Sequence, residues 1–160
     1  MRRILLCLTL VVVVACESTT DPFGGVITGG GGAITAAQAS GNWSFTLQRT
    51  TTSPCTSALA NGQTITTHVD VLSSGALNTT SSWVNPVSPV IEPMDGAVSL
   101  SNGIVDFTLS INTSTAMELT GTMSSGGTFS TGTLRDPAPG FFQVFGSDGC
   151  QYTVSGVKTS

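Results

Sequence analysis

The residues best equipped for chemistry are few, and His68 comes first. It is the single histidine of a 160-residue chain. Asp70 lies two positions on, so in an extended strand both side chains leave the same face. With one of the many serines, such a pair could run acyl transfer, the serine attacking and the histidine taking its proton. Two features weigh against this. No Gly-x-Ser-x-Gly elbow is present to expose a nucleophile. His68 also shares its parity with Thr64 and Thr66, which reads as a solvent-facing polar row, whereas a triad histidine is held and oriented. A hydrolase using His68 is the least favoured expectation. Asp106 and Glu118 fall on outward parities of their strands, so no two acids face each other across a cleft as glycoside hydrolysis requires.

The cysteines are Cys7, Cys16, Cys55 and Cys150. With one histidine and no C-x-x-C spacing, a zinc site lacks ligands, and no metal or cofactor is expected. Cys55 and Cys150 form an even pair, which in an exported domain reads as a disulfide. It would join the loop after the first strand to the start of the last one. A closed loop of ~96 residues contributes roughly 4–5 kcal/mol in the chain-entropy model. Trp43 and Trp83 are the large aromatics. They are the candidates for lining an interior ligand pocket, although such residues more often fill a core.

The elements that must carry these residues are strands. From Gly41 onward apolar residues recur at period two. Trp43, Phe45 and Leu47 share a face, as do Ile65, Val69 and Val71, then Leu77 and Trp83. Val98 and Leu100 follow, then Val105, Phe107, Leu109 and Ile111, then Met117, Leu119 and Met123 before Phe129. The last sets are Phe142 with Val144 and Tyr152 with Val154. Turn chemistry supplies registers. A two-residue turn at Asn102-Gly103 sets Leu100 against Val105 and Val98 against Phe107. A three-residue loop at Ser147-Asp148-Gly149 sets Val144 against Tyr152 and Phe142 against Val154. Ser125-Gly126-Gly127 sets Met123 against Phe129. Pro86, Pro89 and Pro93 mark the longest irregular connection, and Pro137 with Pro139 a second. The expected fold is all-β: about eight short strands in an antiparallel up-and-down meander closing into a small barrel, with a two-sheet sandwich as the alternative.

Met1-Arg2-Arg3 precedes an apolar run from Ile4 to Ala15, too short for a spanning helix but right for a signal-peptide core. Val13-Val14-Ala15-Cys16 then resembles the lipobox of bacterial lipoproteins, with valine where leucine is commonest. The resemblance implies cleavage before Cys16 and acyl chains on that cysteine, which anchor the protein stably. Glu17 beside it implies sorting to the outer membrane. Residues 1–15 are thus read as signal peptide, 16–40 as lipidated cysteine and flexible tether, and 41–160 as the all-β domain. The tether is rich in Gly, Ser and Thr, and Gly29–Gly32 lack the Lys-Ser/Thr that a phosphate loop needs.

Charged residues make up only 9% of the chain. Losing Arg2 and Arg3 with the signal takes the net charge from −4 to about −6. Nucleic acid and electrostatic docking on anionic lipid are excluded as partners, since both need clustered Lys and Arg. Gly41-x-Trp43, the strand Gly103–Ile111 and Thr120-Gly121-Thr122 are similar to lipocalin-like and avidin-like small barrels. That resemblance implies an eight-stranded meander able to hold one small apolar ligand. The leading functional expectation is a non-enzymatic, lipid-anchored domain of the cell envelope. Its partners would be the membrane, through its acyl chains, and an envelope protein or a small hydrophobic ligand.

Overall fold

A computed structural model describes residues 32–51, 55, 59–87, 89–112, 115–136 and 149–160. The strands are β1 (Gly41–Arg49), β2 (Thr64–Val69), β3 (Ser82–Asn85), β4 (Val90–Val98), β5 (Ile104–Asn112), β6 (Thr115–Met123), β7 (Thr128–Arg135) and β8 (Gln151–Lys158). Each pairs antiparallel with the next, and β8 returns to β1, so the sheet closes into a barrel in meander order. Closure removes the sheet edges that short strands with polar outer faces would otherwise leave exposed. It also selects the barrel over the sandwich.

The two-residue period does what it predicts. Trp43, Phe45 and Leu47 are fully buried, while Asn42, Ser44 and Thr46 between them face out. Ile65 and Val69, Phe107 and Leu109, Met117 and Leu119 join one continuous core. Trp43 stacks on Phe45 with ring centroids 6.1 Å apart. Phe45 meets Phe129 edge-on at 4.9 Å. Three glycines make room for these rings. A Cβ on Gly121 or Gly132 would strike the Phe129 ring, and one on Gly156 would strike that of Phe45.

β7 carries a bulge between Phe129 and Gly132, with Thr131 at φ 51°. The left-handed region is unfavourable for a β-branched residue. The Thr131 hydroxyl donates to the Ser130 carbonyl at 2.7 Å. The extra residue reverses the parity of the strand, so Phe129 and Leu134 both point inward.

Cys55 and Cys150 are disulfide-bonded, with Cα atoms 5.1 Å apart. The bond ties the connection after β1 to the start of β8, across the seam where the barrel closes. At the same end the Tyr152 hydroxyl and an Arg49 guanidinium N–H both donate to the Leu59 carbonyl, at 2.8 and 3.1 Å.

The opposite end is closed by α1 (Ala36–Ala39), which lies within the stretch read as tether. Thr35 caps it reciprocally with Gln38, and the Lys158 ammonium donates to the carbonyls of Ala37 and Gln38. Ile34 and Ala39 are buried in the core, and the Ile34 N–H donates to Leu100. Residues 34–40 therefore pack with the barrel, although they lie in the stretch expected as tether. Local composition hid this, because a few small residues packed by tertiary contacts look like a linker.

Other expectations are corrected. The loop at Asn102-Gly103 has four residues, Leu100–Gly103, so Val98 pairs with Val105 and Gly96 lies opposite Phe107. Gly103 takes the left-handed position at φ 73°, and its N–H donates to Ser99. The two-residue register shift leaves the inward set unchanged. The loop Ser125–Gly127 does set Met123 opposite Phe129, with Gly127 at φ 77°. Phe142 and Val144 lie outside the described residues. Tyr152 and Val154 pair with Arg49 and Leu47 on one side and with Leu134 and Gly132 on the other. Pro86 and Pro89 flank a tight β3–β4 turn rather than a long irregular connection, and Pro93 is inside β4. Proline is tolerated there because the β4–β5 ladder starts only at Met94. Leu77 and Trp83 do not share a strand, because the chain turns between them. Asn78 and Thr80 donate to the Asp70 carboxylate and fix that turn.

Candidate functional site

Register places Asn42, His68 and Ser82 in one row on the outer face of β1, β2 and β3. The Asn42 amide nitrogen donates to the Ser160 hydroxyl at 2.7 Å, which turns its carbonyl oxygen to His68. That oxygen lies 3.0 Å from His68 Nδ1. A carbonyl only accepts, so Nδ1 carries the hydrogen of this contact. Ser82 sits directly across the ladder from His68, but no hydrogen bond joins them. Asp70 is committed to Asn78 and Thr80. The expected His68–Asp70 pair is therefore not assembled, and His68 is oriented by an amide instead.

This row lines a surface cleft of about 310 Å³, together with Thr66, Thr159, Val84 and Ile91. The buried Thr67 also borders it, and its hydroxyl oxygen has no hydrogen-bond partner. The cleft opens where β2 and β3 share only two pairs, Thr67 with Trp83 and His68 with Ser82. Its polar groups are an imidazole, an amide and hydroxyls. They suit donor–acceptor contacts with an uncharged partner. A second hollow of about 500 Å³ lies beside Gly126, Gly127 and Lys158, but the Lys158 ammonium is occupied by α1.

Trp43 and Trp83 border the cleft yet are 0% and 1% exposed. Their indole N–H groups donate to the backbone carbonyls of Ala39 and Ser110, at 2.9 and 2.8 Å. Both act as core residues with satisfied polar tips. Asp106 lies opposite Thr120 on the outer face, and Glu118 opposite Thr108 and Arg135. The two acids thus belong to separate cross-strand pairs. Among the described residues no cluster of His, Cys, Asp and Glu could hold a metal, and no helix is long and apolar enough to cross a membrane. Cys16 lies outside the described residues.

The sequence reading missed the wall of the cleft. Val84, Val87, Val90 and Ile91 are exposed on the β3–β4 hairpin. The signal was available as aliphatic residues crowded around Pro86 and Pro89, but prolines suggested an irregular loop. No protein-family model, curated protein or solved structure matches the chain.

Proposed function

We propose that this chain is the precursor of an exported lipoprotein, anchored in the cell envelope by acyl chains on Cys16. Glu17 favours the outer membrane. Its barrel has a non-enzymatic interaction role, exercised from the outer face of β1–β4. The observation that carries this reading is the filled interior. Trp43, Phe45, Leu47, Phe107, Leu109 and Leu119 are all 0% exposed, so recognition falls to the outside, where the cleft and the aliphatic hairpin adjoin. The Cys55–Cys150 bond supports export, since such bonds persist in oxidising compartments. Metabolic labelling with fatty acid tests the anchor. Label on the wild type and none on Cys16→Ala is expected; equal label on both refutes it.

A small hydrophobic ligand is the second reading. The cleft volume of about 310 Å³ reaches the lower end of ligand pockets, and Val84 and Ile91 offer an apolar wall. Such a ligand would sit on the barrel, not within it as the lipocalin-like resemblance implies. The hydrolase reading is weakened, because His68 has no serine bonded to it.

A further inference from the structure

We propose that the β3–β4 hairpin is a second membrane contact, which lays the anchored barrel against the lipid surface; this rests on the export and anchoring reading above. Ile91 is 76% exposed, Val87 55%, Val90 47% and Val84 39%. Val84 and Ile91 are cross-strand partners on the outer face, while Val90 pairs with the buried Asn85 on the other parity, in a hairpin whose outer half pairs only with itself. The β2–β3 ladder ends at Thr67↔Trp83, and the β4–β5 ladder begins at Met94↔Leu109. Val84↔Ile91 and Asn85↔Val90 therefore have no further strand paired beside them, although Asn85 stays buried against the barrel. Exposed aliphatics such as Val84, Val87 and Ile91 mark an interaction surface.

The chemistry of the patch selects its occupant. No charged residue occurs from Val84 through Ile91. The chain is acidic overall, so attraction to anionic headgroups is ruled out. Glu92 follows Ile91 but pairs with Trp83 on the opposite face, and the aliphatic side chains of the outer face fit the acyl boundary of a neutral bilayer. The chain outside the described residues supplies reach. The stretch from Cys16 to Gly32 spans up to ~55 Å when extended. A nine-residue strand spans only ~30 Å. The hairpin turn lies at the barrel end opposite α1, where the tether enters, and that span is ample for it to meet the same bilayer. Anchoring holds it at high effective concentration, so weak contacts suffice.

The test supplies the anchor chemically, so that it does not depend on acylation in the host. The processed chain, from Cys16 onward, contains the whole barrel. Its Cys16 thiol is coupled to a maleimide lipid in phosphatidylcholine vesicles, and hydrogen exchange is compared with the thiol-blocked chain in buffer. Amides of residues 84–91 are expected to slow at least tenfold on vesicles, with those of β7 unchanged. Val84→Asp with Ile91→Asp abolishes the slowing, while unchanged exchange in β5 and β6 verifies that the variant is folded. Equal exchange on vesicles and in buffer overturns the proposal. So does slowing that appears in buffer as protein concentration rises, which would assign the patch to a second copy of the chain. Failure of fatty-acid labelling at Cys16 would sink the anchoring reading separately.

Discussion

Phe45 lies edge-on to Phe129, ring centroids 4.9 Å apart, over strands whose glycines leave both rings their space. The pair joins β1 to β7 through the middle of the barrel, although the two strands are not neighbours. Gly156→Ala would put a methyl group within 3.1 Å of the Ser44 carbonyl and against the Phe45 ring. Overpacking of this kind costs about 1–3 kcal/mol. Chemical denaturation should show that loss for Gly156→Ala. Gly126→Ala, whose Cβ would meet nothing closer than 3.6 Å, should be nearly neutral.

The Cys55–Cys150 bond closes a sequence separation of 95 residues across the β1–β8 seam. Its removal frees the unfolded chain and should destabilise the barrel by about 2–5 kcal/mol. The double variant Cys55→Ala, Cys150→Ala should lower the denaturation midpoint accordingly. Reductant should shift the wild type toward the same value and leave the variant unmoved.

Trp43 and Ala39 bind α1 to the barrel through the indole N–H. Trp43→Phe leaves the buried Ala39 carbonyl without that donor and removes ring volume. A loss of about 1–3 kcal/mol is expected. Limited proteolysis should spare residues 34–40 of the wild type, and Trp43→Phe should open that segment to cleavage.

The Asn42–His68 contact fixes a tautomer. Nitrogen chemical shifts of the imidazole should report Nδ1–H as the dominant neutral form. Asn42→Val removes the acceptor, and the Nε2–H form should then rise to a comparable population.

Much of this fold was legible because closure and alternation are local rules repeated eight times. The parity of Trp43, Phe45 and Leu47 gave the inward face. Ser125-Gly126-Gly127 gave one register outright, since Gly127 occupies the left-handed position such a loop requires. The meander order made β1 and β8 neighbours and so placed the disulfide. The failures share a cause. Thr131 breaks the period by a bulge, so Leu134, on the other parity from Phe129, did not register as core. Asn102-Gly103 has the chemistry of a whole two-residue turn, yet it forms the second half of a longer one. Asp70 acts on Asn78 and Thr80, an interaction that needs the tertiary turn and leaves no spacing signature. The role of His68 depended on Asn42 and Ser160, which only strand pairing brings beside it.

The central claim is that the barrel is filled by its own side chains and works from its outer face. Native mass spectrometry of the protein purified from its host and delipidated tests this most directly. The account predicts the mass of the disulfide-bonded chain with no retained molecule. A small molecule held in one-to-one ratio, and still held after Val84→Asp with Ile91→Asp, would place a ligand inside the barrel and contradict it.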